Sequence, residues 1–210
     1  MKEDLSKLRK NYNSGELNEK NLLRDPFFQF DSWFKEELKS ELWEPNAMIL
    51  STSNTENKPS SRVVLLKGYS DKGFVFFTNY KSRKGEEIAQ NSNVSLLFFW
   101  PQLDRQVRIE GTIKKTSAKE SDEYFKTRPL ESQAAAVVSE QSSIVDDWNK
   151  FHESFQNKIQ NKSFERPKQW GGYCVIPNRF EFWQGRSSRL HDRFQFVFEN
   201  KKWRIERLYP

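Results

Sequence analysis

Residues 60–79 read SSRVVLLKGYSDKGFVFFTN. Two runs rich in Val, Leu and Phe flank the polar turn SDKG, and runs bounded in this way are strand signals. Working outward, AMILSTS (47–53) precedes them across a turn containing NKPS. A short helical piece, SRKGEEIAQN (82–91), leads on to VSLLFFW (94–100) and RQVRIEGTIKK (105–115). Several short strands with close turns predict an antiparallel barrel rather than a parallel sheet. The C-terminal part returns to strands in YCVI (173–176), RFEFW (179–183), FQFVF (194–198) and KWRIERL (202–208). Between these regions, SAKESDEYFKTR (117–128) is a helix with Ser117 and Glu120 as a capping box. PLESQAAAVVSEQSS (129–143) is helical too, and DDWNKFHESFQNKIQN (146–161) is a third helix with Trp148, Phe151, Phe155 and Ile159 on one stripe. Ahead of the strands a helix starts at Asp25-Pro26, a good cap followed by Pro at the first position. Phe30, Trp33, Phe34 and Leu38 give it an apolar face. Residues 1–24 are polar and charged and read as an arm, loose or ordered only on contact; residues 25–210 read as a single domain. The expected fold class is mainly β with helices (α+β), a barrel core with helices packed around it.

Composition fits a globular chain. Its 210 residues are 35% hydrophobic and 30% charged, with a mean hydropathy of −0.90. The 18 Phe, 7 Trp and 6 Tyr compensate, because each buried ring removes roughly 150–250 Å² from water. Disordered chains are poor in aromatics. Apolar stretches such as VVLL and VSLLFFW fall short of the ~20 residues of a spanning helix, and MKEDLSKLRK lacks the apolar core of a secretory signal. The single cysteine, Cys174, excludes an internal disulfide framework and a multi-Cys metal site. Two NxS sequons, at Asn93 and Asn161, read as chance. A soluble, cytoplasmic setting is expected. The surplus of 35 Lys and Arg over 29 Asp and Glu, +6 at pH 7, attracts an anion. Nucleic acid, an acidic membrane and a phosphorylated small molecule all remain open at this point.

The chain has no GxGxxG, Walker loop, HExxH or CxxC, so the candidates are cations at particular places. In RVVLLK, Arg62 and Lys67 sit at the two ends of an apolar run that implies burial on both faces of a strand. They are either a solvated rim or ligand-facing. At Ser82-Arg83-Lys84 basic residues open a helix against its dipole, a conflict that a bound phosphate resolves. Tyr124, Arg128 and Ser132 follow at i, i+4 and i+8; Pro129 interrupts a single helix there, leaving convergence at a junction of two helices. In EFWQGRSSRLHDR, Arg189, His191 and Arg193 alternate and, if extended, share one face. His191, between two arginines, has its charged form disfavoured. His152 is structural or exposed. A single histidine offers too few ligands for a metal, and none is expected.

At that last segment the sequence becomes specific. FEFWQ followed by RLHDR, from Phe180 to Arg193, resembles the signature of the pyridoxine (pyridoxamine) 5′-phosphate oxidase family, flavoenzymes that make pyridoxal 5′-phosphate. RVVLLK (62–67), FFTNYKSRK (76–84), SLLFFW (95–100), RQVRIEG (105–111), YFKTRPLESQ (124–133), SEQSS (139–143) and the terminal RLYP resemble family segments in the same order. The resemblance implies a split-barrel fold and a homodimer with FMN at the subunit interface. It carries FMN contacts to Arg62, Val63, Val64, Leu65, Leu66, Lys67, Phe77, Thr78, Arg83, Lys84, Gln106, Gln141, Ser142, Trp183 and Arg193, with Arg62, Arg83 and Lys84 around the FMN phosphate. Lys67, Tyr124, Arg128 and Ser132 would hold the substrate phosphate. Arg189, Leu190 and His191 would lie by the pyridine ring, with Arg189 and His191 in catalytic roles. Arg9 and Tyr12 match an R-x-x-Y in an arm that closes over the active site. The implied reaction moves a hydride equivalent from the 4′ carbon of pyridoxine or pyridoxamine 5′-phosphate to the flavin. Dioxygen then takes the electrons, giving hydrogen peroxide, and the amine also yields ammonia.

Two other readings compete. Basic charge with many aromatics also suits a single-strand nucleic-acid-binding barrel, but these cations are scattered rather than gathered in a stripe. A split-barrel flavin protein with another task, such as a flavin reductase or a haem-handling relative, has no use for the Tyr124, Arg128 and Ser132 set. Neither nucleic acid nor a membrane is therefore expected as a partner.

Overall fold

Asp25 starts the first helix as its sequence promises: Oδ1 accepts from the backbone N–H of Phe27 at 2.8 Å, and Pro26 takes the first helical position. This computed structural model describes residues 5–8, 10–40, 43–160 and 163–210. Among them the chain order is α1 (Pro26–Glu37), β1 (Ala47–Ser53), β2 (Pro59–Leu65), β3 (Gly68–Ser70), β4 (Gly73–Asn79) and α2 (Arg83–Gln90). Then come β5 (Asn93–Trp100), β6 (Arg105–Lys115), α3 (Ala118–Thr127), α4 (Leu130–Val138) and α5 (Trp148–Ile159). β7 (Trp170–Gln184), a 3-10 turn (Ser187–Arg189), β8 (Asp192–Glu199) and β9 (Lys202–Leu208) complete it. The strands order as β2-β1-β5-β6-β7-β4-β3, with β8 between β7 and β9. The pairs β3/β4, β4/β7, β7/β8 and β8/β9 are antiparallel. No helix among the described residues is long and apolar enough to cross a membrane.

The chain divides into two compact units. One comprises Met1–Met48, Leu96–Glu110 and Pro177–Pro210. Its core is aromatic: Phe30, Phe98, Trp100, Phe180, Phe182, Phe194 and Phe196 are all buried. Edge-to-face pairs such as Phe30–Phe98 at 5.0 Å and Trp33–Phe182 at 5.4 Å join helix to strands. Strand alternation turns Glu181 away from its neighbours Phe180 and Phe182. That buried carboxylate is satisfied by Arg108 at 2.6 Å and Arg193 at 2.8 Å. From Lys10 onward the arm is tied into this unit. Leu17 and Leu22 are buried, and Asp104 accepts from Lys10 at 2.8 Å, Ser14 at 2.6 Å and the Asn13 N–H at 3.3 Å. Burial opposes ionisation of Asp104, but the bonds from Lys10 and Ser14 outweigh it and hold its carboxyl below the usual range.

The other unit comprises Ile49–Ser95 and Gly111–Ile176. Leu50, Phe74, Phe76, Phe125, Tyr173 and Val175 fill its interior. Gly73 closes the β3–β4 turn at φ +130°, where a Cβ would meet the Val175 carbonyl at 2.1 Å. A Cβ on Gly85 would meet the Tyr80 carbonyl at the same distance, so glycine lets the first turn of α2 sit against that chain. Cys174 is buried; its Sγ–H points to the Lys72 carbonyl at 3.5 Å, and burial pushes the thiol pKa up.

Several expectations need correction. Residues 60–69 are not one strand: β2 ends at Leu65 and β3 begins at Gly68, because Leu66 turns inward and the Lys67 N–H bonds the Val75 carbonyl at 2.8 Å. Nor does the unit's own core cover RVVLLK on both faces: Val63 is 63% exposed and lines a cavity. YCVI and RFEFW belong to a single 15-residue strand, β7, which passes through Pro177. The helix expected over 129–143 stops at Val138, and Ser142 beyond it is left-handed at φ 78°. α5 buries none of its residues; Trp148 on the expected stripe is 64% exposed. Leu38 caps α1 rather than packing, 55% exposed. Residues 189–193 are not extended throughout, because Ser188 and Arg189 are both left-handed, at φ 57° and 61°.

Candidate active site

In the second unit, β2, β4, α2 and the α3–α4 junction surround a cavity of about 790 Å³. Val63, Val64, Leu65 and Phe77 give it an apolar wall, as a flat aromatic ligand requires. Two cationic ends lie in it.

The first end is at α2. Ser82 caps the helix, its Oγ accepting from the Gly85 N–H at 3.4 Å. Lys84, buried in the first turn, donates to Ser82 Oγ at 3.3 Å and to Thr78 Oγ1 and Gln141 Oε1 at 3.4 Å. These are long bonds to neutral oxygens, and burial followed by the nearby charge of Arg62 lowers the Lys84 pKa, with Glu87 opposing. An anion would relieve both penalties. Arg62 lines the same end. Arg83 does not line the cavity: it is 67% exposed and donates to Glu87 at 2.9 Å.

The second end is where α3 meets α4. Arg128 follows α3 in extended geometry, ψ 148°, as a residue before proline should. The break brings Tyr124, Arg128 and Ser132 onto one cavity, as the sequence reading expected of a two-helix junction. The Arg128 guanidinium lies 4.6 Å over Trp170, and its Nη1 is buried with no hydrogen-bond partner among the described residues. Burial lowers the Arg128 pKa and raises that of Tyr124. The Tyr124 ring stacks on Phe77 at 3.9 Å and 14°. A buried, unpaired guanidinium nitrogen is costly unless a ligand oxygen meets it.

Of the remaining expected contacts in this unit, Lys67 lines the cavity, Leu66 is buried outside its lining, and Ser142 is exposed outside it.

The first unit holds the other group. Trp183 and His191 pack at 4.6 Å, and Tyr12 meets each ring edge-on at 5.6 Å. Lys10, Tyr12, Arg186, Arg189 and His191 line a cavity of about 510 Å³. Leu190 is exposed beside them. Arg193 is engaged with Glu181, and Gln106 is half-buried on β6. Arg9 lies outside the described residues. His191 Nδ1 accepts the Arg186 backbone N–H at 3.1 Å, which leaves the proton of a neutral ring on Nε2. Burial, then the charges of Arg189 and Arg193, lower its pKa, with Asp192 opposing. In a nitrogen-NMR titration with His152 replaced by asparagine, His191 will titrate below the ordinary value of about 6.5 and carry its neutral proton on Nε2. A midpoint above that value, or a proton on Nδ1, contradicts the assignment.

Sequence reasoning missed two residues here. Glu87 left one trace, its i, i+4 spacing from Arg83. Trp170 left none, since its stacking on Arg128 and Phe77 is made by the fold.

The family model described as pyridoxamine 5′-phosphate oxidase matches residues 34–154. A second, described as the pyridoxine 5′-phosphate oxidase C-terminal dimerisation region, matches 170–210. The pyridoxine/pyridoxamine 5′-phosphate oxidase of Bordetella pertussis is 51% identical, covering 98% of this chain and 99% of its own. That of Paraburkholderia xenovorans is 49% identical over the same shares. Among solved structures, PhzG from Burkholderia lata, in complex with tetrahydrophenazine-1-carboxylic acid, superposes with a TM-score of 0.88 at 26% identity. It covers 91% of this chain and 95% of that one. An FMN-binding protein from Nostoc punctiforme, at 14% identity and TM-score 0.71 over 90% of this chain and all of its own, shares the fold. The fold is the antiparallel split barrel with peripheral helices that the sequence led us to expect.

Proposed function

The chain belongs to the pyridoxamine 5′-phosphate oxidase family, and from that premise we propose that it oxidises pyridoxine and pyridoxamine 5′-phosphates to pyridoxal 5′-phosphate. In this reading FMN is the cofactor and dioxygen the acceptor, hydrogen peroxide is released, and ammonia leaves from the amine. The enzyme acts as a cytoplasmic homodimer with FMN at the subunit interface, and supplies the coenzyme form of vitamin B6.

One observation carries the reading: a single cavity has an apolar wall and two cationic ends, Lys84 with Arg62 and Arg128 with Tyr124 and Ser132. That donor set fits two phosphorylated, ring-bearing molecules. The unpartnered Arg128 Nη1 fits the phosphoryl oxygen of one of them.

Lys84 would hold FMN by its phosphate with the fixed charge of Arg62 beside it, and Thr78 and Gln141 would be further FMN contacts. Arg83 and Ser142, carried over from the same resemblance, lie outside the cavity lining. Val63 to Lys67 and Phe77 would flank its ring, with Gln106, Trp183 and Arg193 completing its contacts. The chemistry FMN supplies when bound is acceptance of a hydride equivalent and its passage to dioxygen. The chain's share is placement, since orientation accounts for much of the barrier reduction. Arg128, Tyr124, Ser132 and Lys67 anchor the substrate phosphate. Arg189 offsets charge near the reacting carbon, and His191 offers an Nε2–H donor to the ring. Residues 25–210 work as one domain and the arm, with Arg9 and Tyr12, closes over the site; the edge contacts of Tyr12 with Trp183 and His191 support that role.

The test is the visible spectrum of the FMN-loaded protein as pyridoxine 5′-phosphate is added without oxygen. Bleaching that reverses on admitting air is the expected result. A yellow protein that does not bleach removes the substrate class, and one that takes up no FMN removes the cofactor as well.

A further inference from the structure

Glu87 stands one helical turn after Arg83 on α2, its side chain only 8% exposed. Its two oxygens serve different elements. Oε1 accepts from Arg83 Nε at 2.9 Å. Oε2 accepts from Thr52 Oγ1 on β1 at 2.5 Å, and from Ser60 Oγ at 2.6 Å and Arg62 Nη2 at 3.2 Å on β2. One carboxylate thus ties α2 to two strands. Burial works to raise its pKa, but the bonds from Ser60, Thr52 and Arg83 and the charge of Arg62 hold it at about 2.

These bonds decide what Arg62 can do. Its Nη1 donates to the Leu50 carbonyl at 3.2 Å and to Thr52 Oγ1 at 2.5 Å, and its Nη2 donates to Ser60 Oγ and Glu87. A guanidinium has five N–H donors, so four are already committed and the group is a fixed charge rather than a free grip. Arg83 is tied to the same carboxylate from the other side, by its Nε alone, and is 67% exposed. Lys84 differs, with only neutral oxygens at 3.3 and 3.4 Å to give up to an anion. Three cations less one carboxylate leave a surplus of two positive charges here. A phosphate monoester carries about −1.5 to −2 near neutrality.

We infer that Glu87 is a positioning residue for the cofactor-phosphate end of the cavity: it fixes Arg62 and Arg83 in place beside Lys84 and trims their charge to that of a phosphate monoester. The inference rests on the FMN reading above. It assigns Lys84 as the group that yields its bonds to the phosphate.

The readout is binding rather than turnover. The full-length protein, freed of flavin, is titrated with FMN and with riboflavin, which differ only in the phosphate, and the ratio of the two dissociation constants is taken. Charge-assisted bonds to phosphate should make FMN tighter by ~100-fold. Glu87→Ala lowers that ratio by ~10-fold or more while riboflavin affinity stays within about threefold. Glu87→Gln, which keeps the shape and one acceptor, lowers it less and guards against a folding defect in the alanine variant. If both ligands weaken in parallel, or the ratio does not move in either variant, Glu87 holds only local structure and the inference is wrong. A wild-type protein that does not distinguish FMN from riboflavin overturns the cofactor reading itself, a separate outcome.

Discussion

Arg128→Ala lowers kcat/KM for pyridoxine 5′-phosphate by about 100-fold or more, with FMN affinity within about threefold of wild type. The Arg128 guanidinium lies 4.6 Å over the Trp170 ring, with one buried nitrogen unpaired among the described residues. Each hydrogen bond between charged partners is worth roughly 1.5–3 kcal/mol, and a planar fork can give two to a phosphate. The phosphate stays bound from ground state to transition state, so most of the loss falls on KM rather than kcat. Lysine at this position restores only part of it, because an ammonium neither stacks on the indole nor offers a fork. Steady-state kinetics on the three proteins decides the matter, and an unchanged KM for Arg128→Ala removes Arg128 from the substrate site.

The second large effect is on stability. Phe180→Ala costs about 3–5 kcal/mol of unfolding free energy, the usual range for emptying a buried phenyl site. Phe180 is fully buried on β7. Its ring meets Phe27 at 5.3 Å and Trp203 at 5.4 Å, both edge-on, and runs parallel to Phe182 at 6.0 Å. Three aromatic neighbours cannot collapse into the gap without giving up their own geometry. Urea unfolding should show a lower midpoint with the same slope. A loss under about 1 kcal/mol would mean that this is not the core of the unit.

Much of this was legible because it is local. Asp25 before Pro26 and Ser117 three residues before Glu120 announce helix starts through bonds made within one turn. The i, i+4, i+8 set at Tyr124, Arg128 and Ser132 was readable together with its break, since Pro129 constrains only the residue before it. What failed depends on partners far along the chain or on rare backbone geometry. An apolar run such as Val63 to Leu66 does not reveal which of its faces will be filled. Left-handed Ser188 and Arg189 carry no Gly or Asn signal, so extended alternation was the natural reading of Arg189 and His191. Trp170 meets Arg128 from 42 positions away, and Glu87 meets Thr52 from 35.

Cys174 and Met48 are both buried, and Cys174 is kept in its thiol form. Peroxide attacks thiolates and accessible thioethers. The reaction proposed above releases peroxide, and the described sulfur atoms of the chain are thus buried and, for Cys174, held in the less reactive thiol form.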